Sequence, residues 1–226
     1  MFAAHNFFSD PSWNDLWGEF VWDALKRLDE FLLQQKFSIE IEIPDSVHLE
    51  RPELISIGKN TLIEPEVLIQ GPCILGENCI VRHGALLRGG VLCGNRCMIG
   101  HASEVKHSIL LDGSQAAHLN YVGDSILGKN VNLGAGVKCA NLRFDRREVV
   151  VNRIKTGLMK FGSIIGDGCQ IGCNAVLNPG TLVGPGCFSY PLLQLHGIIP
   201  SKMRIRGSGD ELQIAPLEVA ILDSLR

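Results

Sequence analysis

A period of six residues constrains this chain more than any other feature. From Ile57, an apolar residue recurs at every sixth position eleven times in succession, through Ile63, Ile69, Leu75, Val81, Leu87, Cys93, Ile99, Val105 and Leu111 to Ala117. Four places after most of these stands a small or modest side chain, as at Thr61, Val67, Cys73, Cys79, Ala85, Val91, Cys97 and Ser103, and glycine follows at Gly58, Gly76, Gly94 and Gly100. The period is neither that of a helix nor that of a half-buried strand. One such repeat cannot bury its own apolar face, so repeats must stack. The expected result is a parallel β-helix in which three repeats close a triangular coil of about 18 residues. First and fifth positions point inward, and residues about 18 apart sit one above another at a strand spacing of about 4.8 Å.

Composition agrees with one elongated domain. The 226 residues are 46% hydrophobic with a net charge of -3, enough apolar matter for a full core and too little positive charge for a nucleic-acid binder. No run of eighteen apolar residues exists, and the N-terminus lacks the basic-then-apolar order of a secretory signal. A soluble cytoplasmic protein without a membrane partner is expected. Eight cysteines suggest a disulfide or zinc framework, but the repeat register assigns them otherwise. Cys73, Cys79, Cys97, Cys169 and Cys187 fall at fifth positions and Cys93 and Cys139 at first positions, so seven are expected in the core as reduced thiols. Cys173, at a third position, faces outward.

Three segments follow: 1–45, an N-terminal helix and strand; 46–206, the solenoid with a basic loop at 142–162; and 207–226, a C-terminal helical tail. Asp10 and Pro11 signal a helix start, and Trp13, Leu16, Trp17, Phe20, Val21, Ala24, Leu25, Leu28, Phe31 and Leu32 continue it at helical spacing to about Gln35. This amphipathic helix suits a membrane surface, a partner, or packing on the solenoid, where it would cover the open end. Phe37 to Ile43 alternates as a strand ended by Pro44. The six-residue register slips between His118 and Leu127, resumes through Cys139, and returns from Ile165 to Val183 after the loop. It fails after Phe188, and a short helix is expected from about Pro216 to Leu225. The loop carries Arg143, Arg146, Arg147, Arg153, Lys155 and Lys160 against Asp145 and Glu148, which suits a solvated excursion or an anion site.

Arg88 and Lys106 occupy second positions 18 residues apart, which stacks two outward cations. Like charges so placed favour an anion between them, such as a phosphate. His118 precedes the slip, with Tyr121 and Asn132 beyond it, and an imidazole titrating near neutrality suits a general base. Glu104 is the candidate to orient that ring. His83 and His101 are also 18 apart and could stack as metal ligands with His107 of another subunit, but no metal is expected.

Two blocks then carry a family resemblance. His118-Leu-Asn-Tyr-Val-Gly-Asp124 and Gly128-Lys-Asn-Val-Asn-Leu-Gly-Ala-Gly136 resemble the acetyltransferase region of bifunctional glucosamine-1-phosphate acetyltransferase / N-acetylglucosamine-1-phosphate uridylyltransferase. Asn141-Leu-Arg143, Lys160 to Asp167 and Asn178-Pro-Gly-Thr181 are similar to the archaeal-type sugar-1-phosphate nucleotidylyltransferase/acetyltransferases. The likeness covers about residues 70 to 188. It implies a left-handed parallel β-helix assembled as a homotrimer with sites between subunits. It also implies N-acetylation of a hexosamine 1-phosphate, glucosamine 1-phosphate first, with acetyl-CoA as cosubstrate and no tightly bound cofactor. In that reading His118 is the base supported by Glu104, Arg88, Lys106 and Tyr121 hold the sugar phosphate, Asn132 and Asn141 hold the amino sugar, and Ala135 and Cys173 border the thioester. The nucleotidyltransferase domain is absent, so uridylyl transfer is not expected. Ser189-Tyr190-Pro191 replaces the family's usual alanine-glycine coil, which leaves the coenzyme end of the site open. Two alternatives stand beside this: an acyltransferase using acyl carrier protein or a longer acyl-CoA on a nucleotide sugar, and a non-catalytic trimeric scaffold or partner of a separate nucleotidyltransferase.

Overall fold

The computed structural model describes residues 2–9, 13–208 and 211–217. The chain winds as a left-handed parallel β-helix of about nine turns. Each turn lays one short strand on each of three faces. Face 1 stacks eight strands from Ile55–Ile57 to Ile198–Ile199, and face 3 stacks eight from His48–Glu50 to Gln194–Leu195. Face 2 runs from Leu62–Ile63 to Met203–Ser208 and ends with Glu211–Pro216 added antiparallel. One continuous core fills the prism with the residues the repeat selects, including the seven expected cysteines, all free and buried.

Tight corners make the coil possible, and the sequence pays for them with particular residues. At the corner between faces 1 and 2, Asn60, Asn78, Arg96, Gly113, Asn130, Gly168, Gly186 and Lys202 all take positive φ, one per turn. Asparagine and glycine dominate because they adopt the left-handed conformation at least cost. The register slips twice, once ahead of the stretch the sequence suggests and once within it, between Val122 and Leu127. Below the first slip Leu87 pairs with Val105, 18 residues on, but Val91 pairs with Ser108 and Cys93 with Leu110, 17 on. One missing residue is therefore at the corner around His107, between faces 3 and 1, and because Leu110 pairs with Leu127, again 17 on, a second is missing at the same corner one turn later, around Asp124. Leu110 and Ala116, rather than Leu111 and Ala117, line the prism. The six-residue count runs past the first deletion because Leu111 and Ala117 happen to be apolar, and it breaks only at the second.

Face 1 is covered on its outside. Ile74, Leu92, Ile109, Ile126, Ile164 and Leu182 form an outward apolar column on this face, and the N-terminal segment packs on it. The α-helix within that segment, α1, spans Asp23–Leu33 and buries Ala24, Leu25, Leu28 and Leu32. It is shorter than the sequence period predicts. The expected start at Asp10 and Pro11 falls outside the described residues, and Trp13 has positive φ before a short 3-10 turn, Asn14–Leu16. Asp23 accepts the Phe20 N–H at 2.9 Å and so ends the irregular entry immediately before the helix. Leu16, Val21 and Trp22 are still buried, and Phe20 stacks on Trp22 with ring centroids 4.8 Å apart, so tertiary packing satisfies the apolar spacing without helix.

The open end is covered by a different segment. Residues 37–43 alternate half-buried and exposed as expected, but only Ile39 bridges to Ile57, and Ile39, Ile41 and Ile43 lie over the first coil. At the other end the coil persists beyond Phe188, and residues 203–216 form a hairpin in place of the start of the expected helical tail. The remainder of that tail lies outside the described residues.

Candidate active site

The corner between faces 3 and 1 stacks Arg51, Gly71, Gly89, His107 and Asp124 on successive turns. Two of these are glycines, and Gly90 follows; without side chains there the wall recedes. The resulting cleft has a volume of about 520 Å³ and is lined by Arg51, Arg88, Lys106 and His107, with Asp29 and Leu33 of α1 opposite. Arg88 donates to Glu104 at 2.6 Å and Lys106 to Asp124 at 3.2 Å. Each stacked cation thus has a carboxylate of its own, which relieves their mutual repulsion in the absence of an anion. Burial alone would raise the Asp124 carboxyl, but the close approach of the His107 ring, the hydrogen bond from Asn141 and the charge of Lys106 outweigh it and hold the group below its ordinary value.

Face 3 continues the site upward. Tyr121 stands directly above Glu104 in the register. A Cβ on Gly123 would lie 2.6 Å from the Tyr121 hydroxyl and 2.7 Å from Asn141 Nδ2, so the missing side chain is what lets these two groups converge. Asn141 also donates from Nδ2 to Asp124. Burial and the nearby carboxylates of Glu104 and Asp124 push the Tyr121 phenol above its ordinary value, which keeps it a neutral O–H donor.

The second half of the site is at the corner between faces 2 and 3. His118 lies in register with His101, whose ring stacks on His83 at 5.6 Å. The 17-residue offset of that sheet continues to Ala135, and the 38-residue offset across the loop carries Ala135 to Cys173. Gly136 N–H donates to the His118 carbonyl and Asn174 N–H to the Ala135 carbonyl, which fixes the stack. His118, Ala135 and Cys173 therefore form one column on consecutive turns, about 5 Å apart at the backbone. None of the hydrogen bonds of the described residues uses the Ala135 N–H. Beside the column a groove of about 410 Å³ on face 2 is lined by Asn132, Gln170, Cys173, Phe188 and Tyr190, the two rings meeting edge to face at 5.9 Å.

Sequence reasoning brings most of these residues to two corners, and the structure gives Glu104 a partner that the sequence does not name. Glu104 is bonded to Arg88, and none of the hydrogen bonds of the described residues joins it to His118. Its place on face 3, one sheet away from the histidine, accounts for this. The basic loop is also less cationic than its sequence. Asp145 takes Arg143 at 2.9 and 2.6 Å, and Val149, Val151 and Phe161 are buried under the N-terminal segment. The functions of Arg51, Asp124 and Gly123 in shaping the site were not legible beforehand. The recurring glycine at 71 and 89 was the available signal. Among the described residues no cluster of three or more histidine, cysteine or carboxylate side chains is arranged to hold a metal ion, and no helix is long and apolar enough to cross a membrane.

The fold defines the class: the chain is a left-handed parallel β-helix built of hexapeptide repeats. A family model described as the GMPPB C-terminal domain matches residues 69–159. Within the class, the chain is related to the acetyltransferase region of the GlmU-type bifunctional enzymes, archaeal ones included. It is 36% identical over 176 residues to the bifunctional protein GlmU of Methanococcus aeolicus, covering 76% of this chain and 42% of the relative. It is 46% identical over 92 residues to the bifunctional sugar-1-phosphate nucleotidylyltransferase/acetyltransferase of Sulfurisphaera tokodaii, covering 39% of this chain and 23% of the relative. The chain spans less than half the length of these curated relatives. The solved structure of Francisella novicida UDP-N-acetylglucosamine acyltransferase matches with a TM-score of 0.60 at 13% identity, covering 83% of this chain and 73% of that one, a likeness of fold.

Proposed function

We propose that this protein transfers the acetyl group of acetyl-CoA to the amine of a hexosamine 1-phosphate, glucosamine 1-phosphate foremost, as a homotrimer. The observation that carries the reading is the column in which the unused Ala135 N–H stands one turn from His118 and one turn from Cys173. Arg88 and Lys106 exchange their carboxylate partners for the phosphate and so fix the sugar, and positioning of this kind lowers a barrier by several kcal/mol. His118 takes the proton of the attacking amine. The oxyanion that forms at the thioester carbon accepts from Ala135 N–H, a contact worth about 3 kcal/mol where such donors have been removed. Collapse expels the coenzyme thiolate, which takes up a proton, and no covalent enzyme intermediate is needed.

The two halves of the site face different sides of one prism. Arg88, Lys106, Tyr121 and Asn141 serve face 3, while Asn132 and the groove beside Cys173 belong to face 2. In a trimer, face 2 of one subunit lies against face 3 of the next, and each site takes residues from both. Coenzyme A in this arrangement occupies the face 2 groove, with its thioester at the column.

The test is release of free thiol from acetyl-CoA in the presence of glucosamine 1-phosphate, beside His118→Ala. Turnover that falls about a hundredfold or more in the variant is expected for loss of a general base. Absence of turnover with every hexosamine phosphate overturns the reading. The aromatic wall made by Phe188 and Tyr190 favours one second reading, a longer acyl chain on the donor. Faster turnover with longer acyl-CoA than with acetyl-CoA would select it.

A further inference from the structure

The cleft between faces 3 and 1 contains a group that the proposed chemistry does not use. His107 sits at the shortened corner with its side chain 23% exposed. Its Nδ1 approaches Asp124 Oδ1 at 3.1 Å, and its Nε2 lies 3.9 Å from Asp29 Oδ1 on α1. The Nδ1 contact is electrostatic: the atom is buried and makes no well-directed hydrogen bond among the described residues. Gly90 brings these groups together, because a Cβ there would meet His107 Cδ2 at 3.0 Å and Asp29 Oδ1 at 3.1 Å.

Asp124 is the hub. Its side chain is 7% exposed, its Oδ2 is shared by Lys106 and Asn141, and its Oδ1 faces His107. A carboxylate so buried competes with any incoming anion for the Lys106 ammonium, and the competition is strong where water is scarce. Lys106 reaches a phosphate only if some other group takes up part of the Asp124 charge. His107 Nδ1 is placed to do so, with the Asp29 carboxylate behind the other ring nitrogen.

We propose that His107, backed by Asp29 of the N-terminal helix, is a positioning residue that divides the charge of Asp124 and leaves Lys106 available to the phosphate of the sugar substrate. The inference rests on the function proposed above. It makes α1 a working wall of the site as well as a cover for face 1. Arg51 and Arg88, the other charged groups facing the cleft, are held by the Gly71 carbonyl and by Glu104 and leave Asp124 to Lys106, Asn141 and His107.

Two readouts test it on the full chain. Covalent labelling of Lys106 by an amine-acylating reagent, followed by mass spectrometry, reports its freedom without any substrate. Labelling is expected to slow in His107→Ala, where Asp124 holds Lys106 undivided, and to recover in His107→Asn, whose amide stands in for Nδ1–H. Titration with glucosamine 1-phosphate is expected to show binding weakened about five- to tenfold in His107→Ala and Asp29→Asn, the size of one close charge contact. KM should rise by the same factor while kcat stays within about twofold. Unchanged Lys106 labelling in His107→Ala overturns the proposal whether or not the chain acetylates sugars. Wild-type affinity in both variants, in a protein that does turn over, overturns it and leaves the function standing. A fall in kcat matching the loss of affinity, or no rescue by His107→Asn, assigns His107 a merely structural part and overturns it too.

Discussion

Eight thiols in this chain share one functional group and occupy opposite states. Seven are buried, and burial pushes the Cys139 thiol, for one, up to about 12, where it is neither a nucleophile nor a metal ligand. Cys173 is exposed at the end of the His118 column. A thiol reagent applied to the native protein at neutral pH should therefore modify Cys173 alone, and denaturant should expose all eight; modification of two or more in the native state would contradict the packing. Asp124 gives a second test at this scale. Its carboxyl is held below its unfolded value, so its stabilisation is complete above the ordinary carboxylate range and lost as pH falls through the depressed folded value. The gap in melting temperature between wild type and Asp124→Asn should be widest near neutrality and close below about pH 4. The cysteines were legible because the repeat fixes which way each points. Asp124 was not, since its charge partners come from Lys106 one turn away, Asn141 across 17 residues and His107 at a corner that the period does not describe.

At the scale of elements, the corner where a residue is missing from two successive turns gathers the cleft, the close approach of α1 and, one turn further on, the loop. The six-residue period identifies the strands because burial repeats with them, and it finds the second slip but loses the first because two outward positions are occupied by Leu111 and Ala117. It also overextends α1. Trp13, Leu16 and Phe20 have helical spacing, but Gly18 packs against Asp23, and a Cβ there would come within 2.5 Å of the Asp23 side chain, so the chain folds back before the helix begins. Two substitutions test this level. Leu28→Ala, at a fully buried position between α1 and face 1, should destabilise by about 2–5 kcal/mol in a denaturant titration. Gly123→Ala should leave stability closer to wild type than that but separate Tyr121 from Asn141, raising KM for the sugar phosphate; an unchanged KM would show that their convergence is not used.

The whole molecule is a prism with unequal surfaces. Face 1 is sealed by α1 and the hairpin of Val150–Val151 and Ile154–Lys155, while faces 2 and 3 carry the two halves of the site. Sedimentation should give a mass three times that of the 24.7 kDa chain, and a monomer retaining full activity would refute a site shared between subunits. The ends have a further consequence. Residues 37–43 lie over the first coil, with Ile39 bridged to Ile57, and Glu211–Pro216 pairs on the last strand of face 2, so each pole has one of its strand edges occupied. End-to-end growth into filaments, the hazard of a stacked architecture, is hindered along those edges, and one flank is occupied as well. What remains is sideways contact through two flanks set at the angle of a triangle, a geometry that closes on itself after a few copies and leaves nothing to add to.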